Sequence, residues 1–137
     1  MNGLLLDTHV WIWYVNGNKE LSNTAKKKIT AALHHHEVYI AAISLWEISM
    51  LEKKKRITFE MSCLEWIKKS LDLTHIQIIP LLPTVAIESV NLPGEFHGDP
   101  ADQLIVATAR IEGLTLVTRD KQILTYSKSH HVAVMQA

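Results

Sequence analysis

Leu4-Leu5-Leu6-Asp7-Thr8-His9, near the start of the chain, runs an unbroken apolar triplet straight into a carboxylate and a hydroxyl. A strand covered by helices on both faces reads as a continuous apolar run, whereas a strand with one wet face alternates apolar and polar residues. The same plan returns at Val38-Tyr39-Ile40-Ala41-Ala42, followed by Ser44 and Glu47, and at Thr115-Leu116-Val117-Thr118, followed by Asp120. Ile76–Ile79 and Val132–Met135 are further apolar runs of strand length. Between them lie longer segments with helical spacing, which predict helices over 8–15, 21–34, 44–55, 60–71, 83–91, 100–112 and 121–126. Strands alternating with helices give an α/β sandwich with right-handed crossovers. Pro100 suits a first helical turn, Gly113 suits a left-handed helix end, and Leu92–Gly98 reads as a Pro/Gly loop.

The 137 residues are 47% hydrophobic and 20% charged, a globular composition of single-domain size, and the whole of 1–137 is expected to form one domain. Fourteen basic residues balance fourteen acidic ones, so no net charge is available to hold a polyanion and any nucleic-acid contact must use local patches. Near-zero net charge and four Trp predict self-association, here a homodimer. Cys63 stands alone, which excludes a disulfide framework; beside Leu64 and Ile67 it reads as a buried helical thiol and fits the reducing cytoplasm. Neither a signal-peptide core nor an apolar stretch of spanning length is visible, so no membrane role is expected.

Parallel α/β sheets bind ligands beyond the carboxyl ends of their strands, and in this chain the residues placed there are acidic. Asp7 follows the first run, Glu47 the second and Asp120 the fourth, while the helix feeding the fourth opens with Asp99-Pro100-Ala101-Asp102. Each acid has a structural explanation by itself: Asp7 and Asp120 as N-caps, Ser44-x-x-Glu47 as a capping box, Asp99 as an N-cap with Asp102 three residues on. Their shared edge adds a cost that capping does not. Two carboxylates about 4 Å apart repel by roughly 4 kcal/mol at an effective dielectric near 20. Several of them stay ionised together only around a cation, and oxygen-only donors suit Mg²⁺ or Mn²⁺. A cation held in this way polarises phosphoryl oxygens and lowers the pKa of a bound water, which points to phosphodiester hydrolysis. Other phosphoryl chemistries lack their parts: no Walker loop is present, and Asp7-Thr8-His9 has no second aspartate of the Asp-x-Asp kind.

Four segments in this order resemble the PIN domains, and within them the VapC-type toxins of bacterial toxin–antitoxin pairs: Leu4-Leu5-Leu6-Asp7-Thr8-His9-Val10-Trp11, Ile43-Ser44-Leu45-Trp46-Glu47-Ile48, His97 through Ala109, and Leu116-Val117-Thr118-Arg119-Asp120. The resemblance implies a three-layer α/β/α sandwich on a five-stranded parallel sheet, a divalent-metal-dependent endoribonuclease acting on RNA, and inhibition by a small antitoxin protein. It implies that Asp7, Asp102 and Asp120 are metal ligands and that Glu47 is a further ligand or a base toward the attacking water. Thr118 matches the family's hydroxyl at the end of the fourth strand, where it helps hold a metal-bound water. Asp99, one turn before Asp102, is either a supporting acid or a cap. Gln103 departs from the family, where arginine is frequent, so no ion pair is expected there. Two alternatives stay open: a structure-specific DNA nuclease and a non-catalytic binding module.

Other residues are weighed against plainer roles. His34-His35-His36 lacks the partners of a tetrahedral zinc set. His9 could touch substrate phosphate or only backbone, and His97, His130 and His131 read as surface residues. Lys53-Lys54-Lys55-Arg56 closes the helix that carries Glu47, where it either complements the helix dipole or reaches RNA phosphates. Trp11 through Val15 are too apolar to be all core on one short helix, so part of that surface is expected to meet a partner.

Overall fold

The computed structural model describes residues 3–137. Its strands are β1 (Leu4–Leu6), β2 (Val38–Ala41), β3 (Gln77–Ile79), β4 (Thr115–Thr118) and β5 (Val134–Gln136), joined in the order β3-β2-β1-β4-β5. Every pairing is parallel. The helices are α1 (Thr8–Asn16), α2 (Asn23–Leu33), α3 (Ile43–Lys53), α4 (Cys63–Thr74), α5 (Pro83–Val90), α6 (Pro100–Glu112) and α7 (Lys121–Ser127).

Side chains alternate across the sheet and fill two cores. Leu4, Leu6 and Val117 face one core with Trp11, Ile29, Ile48 and Trp66 from α1 to α4. Leu5 and Leu116 face the other with Ile105, Val106 and Ile123 from α6 and α7. Leu5, Leu6 and Leu116 are fully buried, each contributing about 1.5–3 kcal/mol, which is why the unbroken apolar runs mark the central strands. Trp11 is wholly buried but not polar-starved: its indole N–H donates to Ser70 Oγ at 2.7 Å, and its ring meets the edge of Trp66.

The strand order places a switch point at the centre. From β1 the chain winds outward through β2 to β3 with α1 to α4 on one face; it then crosses over through α5 and α6 to enter β4 on the other side of β1. The carboxyl ends of β1 and β4 therefore border a crevice that no crossover helix fills, where open α/β sheets take ligands.

Several local expectations are corrected. The fourth helix starts at Cys63, not at 60, because Ser62 caps it by accepting from the Glu65 amide at 3.1 Å. Phe59 and Met61 pack on the core from the preceding loop and carry the apolar spacing past the helix end. As the first residue of α4, Cys63 is half-buried, not buried. The capping box does not form: α3 is entered through Ala42 without a side-chain cap, and Ser44 lies fully buried inside the helix. Of the basic run only Lys53 belongs to α3, and Lys55 adopts φ 60° in the turn beyond. Trp11 and Ile12 are core residues, so the large exposed apolar side chains lie elsewhere, among them Leu73 on α4 and Leu81, Ile87 and Val90 on and before α5.

Candidate active site

Asp7, Glu47, Asp99, Asp102 and Asp120 line one pocket of about 440 Å³ at the switch point. Asp7 arrives there because β1 continues one residue past its last side chain: its amide donates to Val117 O of β4 at 3.0 Å, and its carboxylate caps α1 by accepting from the Thr8 amide at 2.8 Å. The other carboxylate oxygen accepts from the Thr118 hydroxyl at 2.7 Å. Thr118 also accepts from the Asp120 amide at 3.0 Å. One fully buried hydroxyl at the end of β4 thus ties together the two acids that follow the central strands.

Glu47 is held from the other side. The Thr8 hydroxyl lies 2.7 Å from Glu47 Oε1 and 2.8 Å from Ser44 Oγ. It has one hydrogen to give, which goes to the carboxylate, and Ser44 supplies the hydrogen for the second bond. Ser44 therefore supports Glu47 through Thr8, where the sequence spacing suggested a direct cap. Asp99 caps α6, accepting from the Asp102 amide at 2.8 Å, and Asp120 caps α7, accepting from the amides of Gln122 and Ile123 at 2.9 and 3.1 Å. Gly98 lets the loop before α6 close down: a Cβ there would stand 2.8 Å from Asp102 Cβ and would collide with the Phe96 ring.

The electrostatics record the crowding. Burial pushes the carboxyl of Asp7 upward against the pull of its hydrogen bonds from Thr118 and Thr8. Burial likewise raises Glu47, with Asp7, Asp99 and Asp120 adding repulsion. Asp102 is pushed up to about 7, first by burial and then by the charges of Asp99, Asp7, Asp120 and Glu47. Among the described residues, no three His, Cys, Asp or Glu side chains are drawn tightly enough around one point to hold an ion as they stand. Mutually repelling carboxylates would be expected to keep such a spacing. The donor set is all carboxylate oxygen on a half-open pocket, which fits a hard divalent cation that keeps several of its waters.

The pocket's other walls include Arg119, which sequence reasoning did not assign to it, and Arg56 and His9, for which it left phosphate contact open. Arg119 stands 4.8 Å over the Trp13 ring, pairs with Glu20 at 3.2 Å and also donates to the Glu20 and Ala137 carbonyls. Arg56 and exposed His9 complete a basic rim beside the acids. Arg56 ends the basic run for which the sequence left contact with RNA phosphates open; that it turns back to the pocket follows from the helix stop at Lys53. His131, expected at the surface, is half-buried with its ring against Tyr126.

A parallel sandwich with carboxylates gathered at its switch point is the arrangement of a PIN domain, and the chain belongs to that family, whose profile matches residues 4–128. Among its relatives is Ribonuclease VapC22 of Mycobacterium tuberculosis, 36% identical over 134 residues that span 98% of this chain and 99% of that one. Two solved structures share the fold. DNA-bound VapBC from Salmonella typhimurium superposes with a TM-score of 0.70 at 17% identity, covering 99% of this chain and 98% of the other. VapBC2 from Rickettsia felis, bound to a DNA fragment from its promoter, gives 0.69 at 18% identity and 97% coverage of each. Among the described residues, no helix is long and apolar enough to cross a membrane.

Proposed function

We propose that the chain is a divalent-metal-dependent endoribonuclease, the toxin of a VapBC-type pair. The convergence of Asp7, Glu47, Asp102 and Asp120 on the switch-point pocket carries this reading, and the 36% identity to a VapC ribonuclease supports the choice of RNA. Asp7, Asp102 and Asp120 would hold Mg²⁺ or Mn²⁺, which supplies phosphoryl polarisation and a water of lowered pKa. The chain's own residues do the rest. Thr118 fixes the Asp7 carboxylate and the turn carrying Asp120, so both reach the pocket already oriented. Glu47, steadied by Thr8 and raised in pKa, is placed to take a proton from the attacking water. Arg56 on the rim offers positive charge and His9 a ring N–H to flanking phosphates, while Arg119 is occupied by Trp13 and Glu20 and stiffens the wall. No side chain serves as a covalent nucleophile.

The VapBC complexes of similar fold support a small antitoxin as partner. Exposed Leu81, Ile87 and Val90 offer an apolar face for a homodimer. The test is cleavage of single-stranded RNA, structured RNA and flapped DNA in Mn²⁺ by the wild type and by Asp102→Asn. RNA cleavage by the wild type and its loss in the variant are expected. Undiminished cleavage by Asp102→Asn would refute the site, and preferential cutting of flapped DNA would refute the substrate.

A further inference from the structure

A second cavity, of about 600 Å³, is lined by residues other than those of the acidic pocket and takes no part in the chemistry described above. Its walls come from the two segments that also deliver acids. The loop carrying Gly94, Glu95 and His97 runs directly into Asp99, and the α7 face carrying Lys121, Gln122 and Thr125 begins directly after Asp120. Lys121 and His97 of its wall thus stand one residue from Asp120 and two from Asp99 along the chain.

The wall is fixed in place. The Tyr126 hydroxyl donates to Pro93 O at 2.5 Å, the Phe96 ring packs on Tyr126 with centroids 5.0 Å apart, and Gly94, at φ 69°, passes so near His131 that a Cβ there would stand 3.2 Å from Nε2. The loop is thereby pinned to α7, leaving a preformed recess between them. Its lining is mixed: more of its surface is apolar than polar, and the Tyr126 ring stands beside the hydrogen-bonding or charged groups of Glu95, His97, Lys121, Gln122 and Thr125. A planar base offers a match to both, an apolar face and donors and acceptors on its edge, and single-stranded RNA is read through such edges.

We propose that this cavity is a nucleotide subsite, receiving the ribonucleotide next to the scissile phosphate and giving the enzyme a base preference at that one position; the inference rests on the ribonuclease reading above. Lys121, the residue after Asp120, would take the phosphate. Glu95 would repel a phosphate, so the carboxylate end of the cavity takes the base, with Gln122 and Thr125 along the α7 wall. α7 presents Lys121, Gln122 and Thr125 over about one turn, about 6 Å from Lys121 to Thr125 at the helical rise.

Lys121, Gln122 and Thr125 are exposed, so their substitution leaves the core intact. The experiment is brief digestion of a random-sequence single-stranded RNA pool in Mn²⁺ with sequencing of the new ends, for the wild type, Lys121→Ala and the double variant Gln122→Ala/Thr125→Ala. The wild type is expected to enrich one base or base class at one flanking position. The double variant should flatten that enrichment about tenfold while keeping kcat on the favoured sequence, and Lys121→Ala should raise KM about tenfold for all sequences. Identical end profiles and KM values for wild type and variants would overturn the subsite and leave the ribonuclease standing. A wild type that cuts without any base enrichment would do the same, as would variants that lose only their affinity for a partner protein. A wild type that cuts no RNA overturns the ribonuclease reading itself, and the subsite with it.

Discussion

Asp7 and Asp99 both cap helices whose first turns border the acidic pocket, and they do so in opposite surroundings. Asp7 is buried at the end of β1, with one oxygen on the Thr8 amide and the other on the buried Thr118 hydroxyl. Asp99 is exposed, and its side chain accepts the capping bond from the Asp102 amide. Burial pushes the carboxyl of Asp7 upward, a cost that capping does not require and that a bound cation would offset. A carboxylate that only ends a helix can stand in water; one that is desolvated, clamped from the neighbouring strand and aimed among like charges is placed for another purpose.

The largest contrast should come from paired substitutions. Asp7→Asn keeps size but removes a charge from the proposed ligand set, and RNA cleavage in Mn²⁺ should fall at least about 100-fold, since even outer partners of metal ligands cost about 10–100-fold. Asp99→Asn should leave the rate nearly unchanged, because Asn caps as well as Asp. Equal losses in the two variants would erase the distinction. Thr118→Val sharpens it by keeping both acids and removing the clamp. Cleavage should fall about 10–100-fold, and stability should drop by about 1–3 kcal/mol because an Asp7 oxygen and the Asp120 amide lose their partner. Denaturant titration beside the rate assay separates the two effects.

Metal-free melting tests the crowding itself. Asp102, raised to about 7, holds its proton in the folded state across a range where the unfolded chain has already released it. The folded state then binds more protons, so stability should decline as pH rises from about 4 through 7, in the direction also set by Asp7 and Glu47. In EDTA the protein should melt lower at pH 8 than at pH 5.5, Asp102→Asn should flatten that slope, and millimolar Mg²⁺ should raise the melting temperature at pH 8. A wild-type slope of the opposite sign would contradict the desolvated cluster. The smallest effect belongs to Asp99→Ala, which should cost about 1 kcal/mol in denaturant titration as a lost cap, with a far smaller loss of cleavage than Asp7→Asn.

The central strands were legible because burial on both faces leaves no polar residue in Leu4–Leu6 or between Leu116 and Val117. The acids were legible because they follow those runs directly. What escaped the sequence depends on contacts across the fold. Ser44-x-x-Glu47 matches a capping box by spacing, yet spacing does not say where a helix begins; with Ala42 at the start, Ser44 lies inside α3 and meets Thr8 from another helix. The start of α4 was misplaced because Phe59 and Met61 are buried from a loop and mimic helical periodicity. Arg119 and Trp13 reach the pocket wall through a stacking contact between distant segments, and the loop beside α7 is tied down by the Tyr126 bond to Pro93. Neither leaves a local signal.

The most direct measurement is anomalous diffraction at the manganese edge from crystals of the protein grown with Mn²⁺. A peak bounded by oxygens of Asp7, Asp102 and Asp120 at the carboxyl ends of β1 and β4 is the predicted result. Density for the ion elsewhere, or none near those carboxylates at saturating Mn²⁺, would contradict the account.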